Sequence, residues 1–85
     1  MKTYKIIGLE PWSTNDGTQM QRLFCVTHQE GVVGLATLAA SIPAANLPSD
    51  ISLDSVVVLG FNRQGKYLEF VMRAPELPNS NPNNL

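Results

Sequence analysis

Hydrophobic and polar positions divide the chain into five short segments rich in β-branched and aromatic residues, separated by clusters of turn formers. The clearest pattern lies over 55–73, where two such runs flank Gln64-Gly65. That arrangement predicts a hairpin with a two-residue turn. Its register opposes Arg63 to Lys66 and Phe61 to Leu68. Val57, Leu59, Phe61, Leu68, Phe70 and Met72 then share a uniformly apolar face, which the pattern assigns to the core. Val56, Val58, Asn62, Tyr67, Glu69, Val71 and Arg73 take the opposite face. A one-residue slip would mix Glu69 and Arg73 into the apolar set, so the in-register reading is preferred.

Upstream, residues 2–10 predict a first strand in which Gly8 marks a bulge or a close backbone approach. Pro11 is expected to end it, and 12–18 is dense in turn formers. Residues 19–28 and 32–38 predict the second and third strands, joined at Glu30-Gly31. That turn opposes Val26 to Leu35 and Phe24 to Thr37, and Leu23, Cys25 and Thr27 share one face with Val32, Gly34, Ala36 and Leu38. Met20, Arg22, Phe24, Val26 and His28 share the other with Val33, Leu35 and Thr37. Residues 36–45 are ambiguous: alanine and leucine favour helix, while Pro43 and Pro48 limit it to a turn or two. The third strand is expected to run into a short helical or irregular connector through Asp54. Strands over 55–62 and 66–73 complete an all-β domain spanning 1–74. Residues 75–85, with prolines and asparagines and few large apolar groups, predict a flexible tail.

At 85 residues the chain can bury only a small core, a situation that dimerisation often relieves. Cys25 is the single cysteine, so neither an internal disulfide nor a cysteine-rich zinc site is available. No apolar run matches a signal peptide or a membrane span. The expectation is a soluble, cytoplasmic protein.

Candidate chemistry is sparse. His28 is the only histidine, and three residues from Cys25 on a strand it points to the opposite face, so the two cannot form a nucleophile pair. Gly31-Val-Val-Gly34 lacks the remaining residues of a phosphate loop. The chain therefore reads as a non-enzyme without cofactor, metal or small-molecule substrate.

Aromatic and basic residues are more suggestive. Single-strand binding without sequence preference needs flat π surfaces for bases and cations that follow the phosphates, and a sheet face supplies both. The candidates are Phe24, Tyr67, Trp12 and Tyr4 for stacking, with Arg22, Arg63, Lys66 and Arg73 for phosphates. The net charge of −1 opposes strong attraction to nucleic acid. It leaves open a rival reading, a protein-interaction module such as a phage or mobile-element accessory protein, using the apolar surface around Phe24, Val26 and Leu35 to bind itself or another protein.

Five short strands with an Ala/Pro connector between the third and fourth resemble an oligonucleotide-binding (OB) barrel. In size and layout the chain resembles the single-stranded-DNA-binding proteins of filamentous and other small phages. The likeness is strongest over Ser55–Pro75, where the fourth strand, a glycine-containing tip and the fifth strand run into Ala74-Pro75. It implies a five-stranded OB-like barrel, a homodimer and a role in DNA replication through binding single-stranded DNA or RNA. Phe24 would be the second-strand stacking aromatic, Arg22 a phosphate contact and Tyr67 a second stacking residue.

Overall fold

The computed structural model describes residues 2–29, 32–65 and 67–75. Five antiparallel strands form one sheet: β1 Tyr4–Ser13, β2 Gln19–Gln29, β3 Val32–Pro43, β4 Val56–Phe61 and β5 Leu68–Arg73. Their spatial order is β3-β2-β1-β4-β5, with no ladder joining β3 to β5. The all-β expectation holds. The tail at 76–85, the turn residues Glu30 and Gly31, and Lys66 lie outside the described residues.

Strand β1 runs past Pro11 to Ser13. Proline removes one donor, but Pro11 still faces Gln21 within the β1–β2 ladder. The irregularity expected at Gly8 is present: Ile6 pairs with Cys25 and Gly8 with Phe24, leaving Ile7 as the extra residue. Ile7 is exposed while Ile6 is fully buried. A bulge thus resets the alternation so that Leu9, two positions beyond Ile7, packs against the core.

Strand β3 continues through the ambiguous segment to Pro43, and only Ala44–Asn46 form a single 3₁₀ turn. Alanine's helix propensity is weak compared with the pairing that β2 offers here. Leu23 meets Ala40, Gln21 meets Ile42, and Met20 meets Pro43. Ile42 is fully buried and Ala40 packs against the core. Because β3 is an edge strand, proline at its end is tolerated.

The two hairpins show how slips of different parity act. Near the turn, β2 and β3 pair as expected, His28 with Val33, but beyond an irregularity Val26 faces Thr37 and Phe24 faces Ala39. This displacement is two residues from the predicted pairing, and an even slip leaves every side chain on its own face. Leu23, Cys25 and Leu38 therefore contribute to the core as the pattern implied.

In the C-terminal hairpin, Phe61 pairs with Leu68 as predicted, but Gly60 then pairs with Phe70 and Leu59 with Val71. Glu69 is the extra residue of a bulge, and the odd slip inverts the rest of β5. Val71 is buried, whereas Phe70 and Met72 are 46% and 49% exposed, which corrects their assignment to the core. Phe61, at the end of β4, is also exposed. The bulge resolves the conflict that made the slipped register unattractive. Glu69 drops out of the pairing, and Arg73 opposite Val57 lies at a strand end, where its guanidinium reaches Asp50 at 3.8 Å.

Ile6, Leu23, Cys25, Ile42, Ile51, Val57, Leu68 and Val71 form the core. Burial pushes the Cys25 thiol up to about 11. We expect Cys25 to react with a thiol reagent near pH 8 at least about 100-fold more slowly in the native protein than in urea, since the buried thiol is neutral and shielded. Equal rates in an Ellman assay would show that the β2 interior is open.

Candidate nucleic-acid interface

On the outer face, β1 and β2 bring three predicted site residues into one row. Glu10 faces Arg22 and Trp12 faces Met20 across the ladder. The Arg22 guanidinium donates to Glu10 Oε1 at 2.7 Å and lies over the Trp12 ring, 5.2 Å from its centroid. Trp12 Nε1 donates to Ser41 Oγ at 3.0 Å, so β3 fixes the indole from the other side. Stacking a guanidinium on an indole orients both groups.

Phe24 follows one outward position along β2, half-buried above Gly8. A Cβ at Gly8 would stand 3.2 Å from Phe24 Cδ2, closer than ordinary contact. Glycine therefore lets the phenyl ring lie down on the sheet. The same device recurs across β4 and β5. There the Phe70 ring covers Gly60 so closely that a Cβ at position 60 would overlap it. The outer face thus carries two aromatic rings, each seated on a cross-strand glycine.

The remaining predicted residues are dispersed. Tyr4 packs against the core, away from the Phe24 row. Arg63 is exposed beside the β4–β5 turn, in which Gly65 adopts a φ of 70° and Gly65 N donates to Asn62 O at 2.8 Å. Arg73 shares a face with Val57 and pairs with Asp50, so it does not join Arg22. Lys66 lies outside the described residues.

Tyr67 lies at a second location. With Leu68 and Glu69 it lines an open cleft of about 730 Å³ facing the β1–β2 loop, Met20 and Asn46. The loop wall is rigidly built. Thr14 Oγ1 donates to Asp16 Oδ1, which also accepts from Thr18 Oγ1 at 3.0 Å and Thr18 N at 3.2 Å. Gly17 turns the chain with a φ of 90°. The hydrogen bonds from Thr14 and Thr18 hold the Asp16 carboxyl below its usual range. Asp16 and Glu69 are the charged groups lining the cleft among the described residues.

No protein-family model matches the chain, and no curated protein or solved structure matches it. Three described cations are already partnered: Arg22 with Glu10, Arg73 with Asp50, and Lys5 with Asp54 at 3.9 Å. Among the described residues no three His, Cys, Asp or Glu side chains gather as metal ligands. No helix among them is long and apolar enough to cross a membrane.

Sequence reasoning missed the exposed Phe70 and Met72 and the loop-lined cleft. Gly60, a glycine inside a strand, was the available signal for the former, as Gly8 was for Phe24. The cleft had no local signal, because its walls come from three separate connections.

Proposed function

We propose that the domain binds single-stranded nucleic acid, DNA in the first instance, with little sequence preference. The observation that carries this reading is the row Trp12–Arg22–Phe24 on the outer face of β1 and β2. It offers bases the Phe24 ring and, beside it, the Arg22 guanidinium stacked on Trp12, and each aromatic contact contributes about 1–3 kcal/mol per base. The strand order supports the same reading. β3-β2-β1-β4-β5 is the order of an OB-like barrel opened between its third and fifth strands, and β3 lies beside β5 without pairing to it. In that architecture the ligand crosses strands 2 and 3 between the first and last hairpin loops.

Titration of a labelled strand of about 20 nucleotides, followed by anisotropy, tests the proposal. Phe24→Ala is expected to weaken binding about tenfold, and the duplex to bind less well than the strand. With three described cations ion-paired, roughly two to four phosphates are neutralised and the logarithmic salt slope is shallow, about −1.4 to −2.8. A strand that fails to bind even at low salt would overturn the reading.

A second reading, a protein-interaction module, is favoured by the half-exposed Phe70 and Met72 on edge strand β5. Concentration-dependent self-association that is lost in Phe70→Ser, together with no strand binding, would select it, and the partner would then be a second copy of this chain.

A further inference from the structure

We infer that the cleft between the β1–β2 loop and the β4–β5 hairpin is a base-reading subsite. It accepts a nucleobase with its amino group at pyrimidine position 4 or purine position 6, cytosine or adenine, and disfavours uracil and thymine. The inference rests on the single-strand-binding reading and adds a compositional preference to it.

The charge of the cleft is the first reason. Asp16 and Glu69 line it, and no described cation does. Like charge repels phosphate, so the part of a nucleotide that this cleft can take is the uncharged base. The shape agrees. Met20 and Leu68, both buried, back the cleft with apolar groups, and Tyr67 adds an aromatic side chain to its lining, as a planar heterocycle requires. The polar rim decides which base. Ionised carboxylates only accept hydrogen bonds, so they favour the amino group of cytosine N4 or adenine N6. Uracil and thymine present a carbonyl oxygen at that position, which meets the carboxylates as one acceptor against another. The Asn15 and Asn46 amides both donate and accept, and can satisfy the ring nitrogen beside the amine.

Two placements point the same way. Asp16 is held by Thr14 and Thr18 before any ligand arrives, so the rim is preorganised. Met20, on the cleft wall, occupies the next outward position along β2 after Phe24 and Arg22. Alternate strand residues lie about 6.7 Å apart. A strand stacked along the Phe24–Arg22 row therefore runs towards the cleft.

The test compares oligo-dC with oligo-dU, each of about 20 nucleotides, by anisotropy near pH 7.5. These bases differ only at position 4 and the adjoining ring nitrogen. The expected result is about fivefold tighter binding of oligo-dC, the lower end of discrimination by one base contact. Glu69→Gln is expected to shrink that ratio towards unity, and Asn46→Ala to weaken both strands alike without changing it; both side chains are exposed, and circular dichroism reports that the fold persists. Equal binding of both strands by the unmodified protein would overturn the subsite and leave single-strand binding standing. A preference that survives Glu69→Gln undiminished would also overturn it. Binding of neither strand would overturn the subsite and the reading beneath it together.

Discussion

Leu23→Ala is expected to remove about 2–5 kcal/mol of folding stability. Leu23 has no exposed surface and lies on β2, between Leu9 of β1 and Ala40 of β3. Alanine there loses the transfer energy of the removed methyl groups and leaves a cavity that paired strands on both sides cannot close. An 85-residue chain has roughly 4–13 kcal/mol to lose, so this one side chain carries a large share. Leu53→Ala is the matched control, since Leu53 is 54% exposed and its truncation should stay within about 0.5 kcal/mol. Urea unfolding followed by circular dichroism separates the two. With a slope of about 1 kcal/mol/M, the Leu23 variant should unfold at least about 2 M earlier than the parent. A shift no larger than that of Leu53→Ala would mean that the interior does not lie on this face of β2.

Core and sheet differ in how far they could be read from the chain. The five strands were legible because β-branched and aromatic runs alternate with turn formers, and that pattern depends only on neighbouring residues. Facing was legible in β2 and β3 because the slip there is even: Cys25 and Leu23 point inward in either register. It was not legible in β5. Nothing local distinguishes Glu69 as a bulge residue from Glu69 as an ordinary outward side chain, and the inversion that follows exposes Phe70 and buries Val71. Ala36–Pro43 misled for a related reason. Its helix propensity is a property of the segment, whereas the ladder that overrides it belongs to β2.

The candidate site divides in the same way. Trp12, Arg22 and Phe24 come together because two adjacent strands in simple antiparallel register carry them. Tyr4 and Arg73 separate from them because bulges in β1 and β5 reset which face each strand presents. The Glu10–Arg22 and Lys5–Asp54 pairs join residues at least twelve positions apart, so counting cations along the chain overstated how many stand unpartnered. This bears on function directly. A surface whose cations are partnered gains little from counterion release, and stacking must supply most of the affinity.

The Phe70–Gly60 contact leads to the second large effect. Gly60→Val is expected to destabilise the protein by about 2 kcal/mol, although valine is the better strand former. The new branched side chain would occupy the space of the Phe70 ring, which must swing into solvent and give up its packing on the sheet. Removing the ring should reverse the sign. In a Phe70→Ala background the same Gly60→Val exchange is expected to stabilise by up to about 1 kcal/mol, because only strand propensity then remains. The double-mutant cycle should therefore show a coupling of about 2–3 kcal/mol between the two positions, well above the error of additivity. A coupling near zero would mean that the ring does not rest on Gly60, and β5 would then need a register without the Glu69 bulge. Gly8→Ala offers the milder comparison: its Cβ would stand 3.2 Å from Phe24, a separation that a small shift of the ring relieves. Its cost should be below that of Gly60→Val and should fall in Phe24→Ala. The ordering follows from geometry alone, since both glycines sit under a cross-strand phenylalanine and differ in how closely the ring approaches.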